Sequence, residues 1–305
     1  PMTVDTHRRG FLRGCALCAA GAGLFSPLVV DAREGVEVGK ESAFAKLVPA
    51  EEVEATARQQ YQQMLKQAAD KKALGPDNHP EVLRLRGIAQ RIIPHSYEWN
   101  PRAREWKWEV NLLNSSQINA FCMPGGKIAF YSGILTKLEL TDDEVAMVMG
   151  HEIAHVTQRH SMQQMAKAQR ANIGLTGLCL FVPSACQGVA GAVVQVGAQV
   201  GFAKFSRDDE ASADKAGVTY VTRAGIDPRG MPSMFGSLIA ERERNPSGVD
   251  AFFASHPIEE SRVANTEVEI RKIDPAVLNS LTRDTRAFQT FKARLAGLPR
   301  TPTKR

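Results

Sequence analysis

The chain has 305 residues, 38 Lys and Arg against 33 Asp and Glu, and 43% apolar composition. That is enough globular chain for one large or two small folded units, which excludes disorder, a fibre and a disulfide-dense miniprotein. The net charge of +5 falls to +4 without the first 32 residues, which hold three Arg and two Asp. The basic residues are scattered and form no stripe, so the charge points to no nucleic-acid partner. A mean hydropathy of −0.24 argues against a multi-span membrane protein.

Residues 1–32 read as an export signal. Arg8-Arg9-Gly10-Phe11-Leu12-Arg13 is polar and basic, no charge follows from Gly14 to Val30, and Val30-Asp31-Ala32 resembles a small-residue cleavage site. The Arg pair before Phe11-Leu12 resembles a twin-arginine signal, which predicts a periplasmic protein. An ordinary secretory signal or a retained anchor is the alternative. Beyond the signal remain Cys122, Cys179 and Cys186, an odd count that cannot all pair internally. Cys179 and Cys186 are read either as a disulfide or as buried thiols.

Residues 33–48 show no period and read as a flexible lead. A helix is expected from Pro49 to Leu74, with Val53, Ala57, Tyr61, Met64 and Leu65 near helical spacing. Gly75-Pro76-Asp77-Asn78 breaks it, and a second helix runs from Pro80 to Ile93 before Pro94. Trp106–Leu113, Gln117–Met123 and Lys127–Tyr131 alternate like strands, the last two joined by the turn signal Pro124-Gly125-Gly126. Helices are expected over 142–170, 206–224, 228–242 and 258–273, with a basic one over 284–296. Ile173–Ala203 carries no charge. Pro183, six Gly and three Gln interrupt it, so it reads as buried or membrane-touching helices in preference to a true span. The domain reading is a metallopeptidase domain over 49–275, for the reasons that follow, and a basic helical tail over 276–305.

The chemistry lies in His151-Glu152-Ile153-Ala154-His155, an H-E-x-x-H pentad inside an expected helix that Thr141 and Glu144 open as a capping box. Residues four apart on a helix share a face, so the two imidazoles can bind one zinc ion. Glu152, rotated by about 100°, can meet a zinc-activated water without ligating and take its proton during attack on a peptide carbonyl. Surface histidines are the plain alternative, and the apolar flanks Val145, Met147, Val148 and Met149 argue against it. A third ligand is needed. The metzincin positions hold Gln158 and Ser161, which excludes that class. Glu210, four residues before Asp214 on a later helix, can ligate while Asp214 accepts the spare N–H of His151. Asp208 and Asp209 read as a solvated acidic face.

These segments, with Asn119-Ala120-Phe121-Cys122-Met123-Pro124-Gly125-Gly126-Lys127-Ile128, Ser132-Gly133-Ile134-Leu135 and Ser255-His256-Pro257 followed by Arg262, resemble the zinc metallopeptidases related to the CAAX prenyl protease and HtpX. Within them the chain is most similar to the soluble, exported or Oma-like members. The resemblance implies an α+β, mainly helical gluzincin-type domain with a small twisted sheet beside the H-E-x-x-H helix. It also implies one Zn2+ per chain held by His151, His155 and Glu210, with Glu152 as general base and substrate on an edge strand. A protease domain alone is expected.

Asn119 and Ala120 on an exposed strand edge suit pairing with an extended peptide, which predicts unfolded or misfolded envelope polypeptides as partners. His256 has two readings: a donor to the oxyanion, or an occupant of the fourth zinc position in a self-inhibited state. Arg207 pairs with a carboxylate near the site or caps its helix. His160, five residues after His155, reads as off the ligand face and either structural or exposed. The predicted function is a periplasmic zinc metalloendopeptidase in envelope quality control. The rivals are a zinc-stabilised chaperone or binding protein with little proteolysis, against which Glu152 argues, and a protease anchored through 173–203.

Overall fold

Apolar spacing on the first helix faces it toward a sheet. The computed structural model describes residues 50–164 and 205–281 and a short strand pair, β1 (Ala32–Arg33) and β2 (Val36–Glu37), within the stretch expected to be a loose lead. Residues 1–31, Ile173–Ala203 with Cys179 and Cys186, and the expected basic helix over 284–296 lie outside the described residues. Helix α1 (Ala50–Asp70) buries Val53, Ala57 and Tyr61. Ala57 and Tyr61 pack with Leu113, Phe121, Met123 and Ala129 on one face of the sheet. Helix α2 (Pro80–Ile92) starts with Pro at its first turn and the His79 ring accepting from the Glu81 amide at 3.2 Å.

Three strands form the main sheet: β3 (Glu109–Leu113), β4 (Ala120–Met123) and β5 (Lys127–Tyr131). Their order is β3-β5-β4. β3 runs parallel to β5, with Val110 opposite Ile128, and β4 runs antiparallel to β5, with Phe121 opposite Ala129. The β4–β5 turn needs its glycines, since φ is +84° at Gly125 and +75° at Gly126, and a Cβ at Gly126 would meet the Trp108 ring at 2.6 Å. Alternation along the strands sends Leu112, Ala120, Cys122, Ile128 and Phe130 to the other face, into the main core.

That core is built around α4. After α3 (Ser132–Lys137), helix α4 (Asp142–Thr157) opens with the expected capping box. The Thr141 amide donates to Glu144 Oε2 at 2.7 Å and the Glu144 amide to Thr141 Oγ1 at 3.3 Å. Every residue from Glu144 to Thr157 is buried. Arg84 anchors the start of α4 to α2, with Nε 2.5 Å from Asp142 Oδ1 and Nη2 donating to Leu140 O at 2.9 Å. The expected single helix over 142–170 is interrupted. Arg159 adopts φ +61°, a left-handed conformation that ends a helix, and helical structure resumes as α5 over 160–164.

Helices α6 (Arg207–Arg223), α7 (Gly230–Arg244) and α9 (Glu260–Arg271) match the remaining expectations. Like the short α3, helices α8 (Pro246–Ser255) and α10 (Pro275–Ser280) were not among those expected. Both α8 and α10 begin at a proline, and a proline that reads as a breaker is equally the first residue of a new helix. Among the described residues, no helix is long and apolar enough to cross a membrane.

Helices α4 and α6 approach most closely at two glycines. A Cβ on Gly217 would lie 3.1 Å from the His151 amide nitrogen and 3.3 Å from the Gly150 carbonyl carbon. A Cβ on Gly150 would lie 3.3 Å from the Gly217 oxygen. These neighbours are backbone and cannot rotate away. Gly217→Val is therefore expected to lower stability by about 1–3 kcal/mol through overpacking. It is also expected to weaken metal binding, because it pushes apart the two helices that carry the site. Chemical denaturation and zinc titration of the variant check both effects.

Candidate metal centre

Helical spacing on α4 sets His151 one turn before His155, and the helices' close contact presents Glu210 to both. His151 Nε2 lies 2.9 Å from His155 Nε2. Glu210 Oε1 is 3.3 Å from His155 Nε2, and Glu210 Oε2 is 3.6 Å from His151 Nε2. The two ligand faces of the rings thus converge through Nε2, leaving both Nδ1 atoms outward. His256, the residue that ends α8, adds Nδ1 at 3.3 Å from His151 Nε2 and 3.0 Å from Glu210 Oε1. All four side chains are buried, and one ligand atom from each lies within 4.8 Å of the others.

The donor set fits a zinc ion. Zinc–nitrogen distances of about 2.0–2.1 Å in tetrahedral geometry set neighbouring ligand atoms roughly 3.3 Å apart. The observed separations of 2.9, 3.3 and 3.6 Å bracket that value. Buried Glu152 Oε1 accepts no hydrogen bond, which is costly unless something else in the centre satisfies it. Charge points the same way. Among the described residues, Glu152, Glu210 and Asp214 are buried beside one buried guanidinium, Arg262, and a divalent cation would cancel the remaining negative charge.

Around the donors a second set of contacts holds them. Asp214, one turn after Glu210 on α6, has Oδ1 2.8 Å from His151 Nδ1. Arg262 on α9 grips Asp214 with two donors, Nε to Oδ2 at 2.8 Å and Nη2 to Oδ1 at 2.7 Å. Its Nη1 is 2.5 Å from Glu210 Oε2 and donates to the Pro257 carbonyl at 2.8 Å. One guanidinium thus ties α6 to the segment that carries His256. The sequence singled out Arg262 only as part of a motif. Its bidentate geometry on Asp214 needs the fold to be seen. Phe205, just before α6, stacks on His155 with ring centroids 3.8 Å apart and an interplanar angle of 24°. Its amide donates to the Ser255 carbonyl at 3.3 Å, next to His256.

Burial sets the protonation of the site. Burial raises the pKa of Glu152 against the pull of the His256 and His151 rings and a hydrogen bond from the Cys122 main chain. Burial, with the neighbouring His151, holds the His155 ring well below its ordinary value. Burial works against ionisation of Glu210 and Asp214 as well, yet both are held low. His256 and His155 do this for Glu210, and Arg262 with His151 for Asp214. For His256 burial is outweighed by the carboxylates of Glu152 and Glu210, which raise its pKa.

The other singled-out residues fall as follows. Asn119 and Ala120 lie at the start of β4, a sheet-edge strand, but they are buried and not exposed as the sequence suggested. The Asn119 side chain accepts from the Ala120 amide at 3.0 Å. Asp209 is not a solvated acid. It is buried in the α6 capping box with Ser206. Arg207 pairs with Glu259 at 2.9 Å on the surface. His160 is buried and lies off the ligand face as expected, on the Nδ1 side of His155, a contact that a continuous helix would not make. Cys122 is buried on β4.

The chain is similar to several known metallopeptidases and proteases. The beta-barrel assembly-enhancing protease of Escherichia coli is 31% identical over 220 residues, 70% of this chain and 43% of that protein. The Yersinia pestis protein of the same name is 33% identical over 170 residues, 54% of this chain and 35% of that protein. The mitochondrial metalloendopeptidase OMA1 of Saccharomyces cerevisiae is 28% identical over 201 residues, 62% of this chain and 56% of that protein. The chain therefore spans about half or less of the length of these relatives. The model of Peptidase family M48 matches residues 84–270, a span that contains His151, Glu152, His155, Glu210, Asp214, His256 and Arg262. The chain belongs to Peptidase family M48.

Proposed function

We propose that the chain is a zinc metalloendopeptidase of the cell envelope, with His151, His155 and Glu210 as zinc ligands and Glu152 as general base. One observation carries this reading above the others: three buried ligand atoms converge with zinc-like spacing while Glu152, adjacent to His151, keeps a buried carboxylate oxygen that accepts no hydrogen bond. Zinc held there supplies Lewis acidity toward the scissile carbonyl and the attacking water. Asp214 orients His151, and Arg262 holds Asp214 and Glu210 in register. Glu152 takes a proton from the attacking water on Oε1 and returns it to the leaving amine. Burial makes this carboxylate a stronger base than an exposed one, which suits that task. A purely binding role leaves Glu152 without use, so the chaperone reading is not favoured.

The conformation described here is a resting one. His256 Nδ1 completes a four-atom cluster with the three ligand atoms, and its Nε2 lies 3.4 Å from Glu152 Oε1. Water and substrate gain access when His256 withdraws. Substrate binds as an added strand along β4, near Asn119 and Ala120, where the Cys122 main chain already reaches Glu152. Main-chain pairing reads shape more than sequence, so unfolded or misassembled envelope polypeptides are the substrate class. The N-terminal export signal read from residues 1–32 and the name of the assembly-enhancing relatives support an envelope location and substrates of that kind. The uncharged stretch over 173–203 is the segment suited to contact a membrane surface.

With casein as substrate and equal zinc content, Glu152→Gln is expected to lower the cleavage rate by about 10²–10⁴-fold. Unchanged cleavage would remove Glu152 from its assigned role. His256→Ala is expected to raise basal cleavage, because it empties the fourth position of the resting cluster. A fall of roughly 10²–10³-fold would identify His256 as an oxyanion donor instead.

A further inference from the structure

His160 has no part in the mechanism above, yet it is buried with Nδ1 3.0 Å from Nδ1 of His155. His155 turns its other nitrogen, Nε2, inward, 2.9 Å from His151 Nε2 and 3.3 Å from Glu210 Oε1. Two ring nitrogens at 3.0 Å need one proton between them, since two lone pairs repel and two N–H groups collide. A neutral imidazole that ligates through Nε2 carries its proton on Nδ1. The direction of the hydrogen bond follows: His155 Nδ1–H donates and His160 Nδ1 accepts.

We propose that His160 is a positioning residue for the metal centre, fixing the tautomer and ring orientation of His155 as Asp214 does for His151. The inference rests on the zinc reading above. The local backbone supports it. On an unbroken helix, the fifth residue after His155 would lie about 140° around the axis. The turn at 158–159, with Arg159 at φ +61°, breaks that path and returns His160 to His155. A positive φ is uncommon for a non-glycine residue and persists where surrounding contacts hold it. Phe205 stacks on the flat face of His155 at 3.8 Å, so one contact limits tilting of the ring and the other limits its rotation.

Charge explains why an imidazole suits this position. Glu152, Glu210 and Asp214 already place three carboxylates beside Arg262. A carboxylate at position 160 would add a negative charge that a divalent cation and Arg262 could not cancel. A neutral ring accepts the hydrogen bond without adding one.

The test uses the full chain loaded with zinc. Long-range ¹H–¹⁵N correlation of the histidine rings is expected to find His155 protonated only on Nδ1 and His160 only on Nε2. A proton on Nδ1 of His160 would overturn the proposal. His160→Phe removes the acceptor, whereas His160→Asn presents an oxygen near the former Nδ1. By chelator competition, His160→Phe is expected to weaken zinc binding by about 10–100-fold, and His160→Asn to remain within roughly threefold of the parent. The metal-free melting temperature of His160→Asn should match that of the parent. Parent-like zinc affinity in a folded His160→Phe overturns the proposal. If His160→Phe does not fold, the parent's ring tautomers and His160→Asn decide, and weak zinc binding by a folded His160→Asn overturns it. A parent chain that binds no zinc overturns the metal reading itself.

Discussion

The centre depends on how closely two helices approach each other. Gly150 and Gly217 let the α4 and α6 backbones meet where a Cβ on Gly217 would lie 3.1 Å from the His151 amide nitrogen. That contact sits next to the first histidine of the pentad and about two turns from Glu210. It lets a carboxylate on α6 come within 3.3 Å of a ring on α4. Larger side chains at these positions would widen the helix pair and open the ligand set. The packing of the core and the reach of the ligands are therefore one constraint.

Buried charge is the second constraint. Three carboxylates and several imidazoles lie within one apolar core, where isolated charges are costly. Arg262 offsets part of this, because one guanidinium touches Asp214, Glu210 and the Pro257 carbonyl. A divalent cation held by the cluster would offset the rest. The same arrangement links the metal site to the His256 segment, since Arg262 holds both the ligand helix and the residue after His256. A change in that segment would be felt at Glu210 through a single side chain.

Much of this was legible in the sequence, and the residues show why. The pentad, the Thr141–Glu144 capping box and the i,i+4 pair of Glu210 and Asp214 are local patterns, and helical geometry alone converts them into shared faces. The β4–β5 turn was equally readable, because Gly125 and Gly126 mark backbone conformations that other residues avoid. What escaped the sequence is non-local or irregular. The parallel pairing of β3 with β5, the burial of β4 and the Arg262 clamp depend on partners distant in the chain. The break at Arg159 falls on a residue with no turn signature, so the contact of His160 with His155 was not legible. The helices that begin at Pro246 and Pro275 were not among those expected, because a short segment behind a proline carries little periodic signal.

The central claim is that α4 and α6 together build one zinc site, and metal stoichiometry tests it most directly. Metal-free full chain and Glu210→Ala would each be titrated with zinc under calorimetry, with bound metal counted by elemental analysis. The account predicts one tightly bound zinc per parent chain, a higher melting temperature on loading, and loss of tight binding in the variant. A parent chain that takes up no stoichiometric zinc, or a Glu210→Ala chain that binds it equally well, would contradict the account.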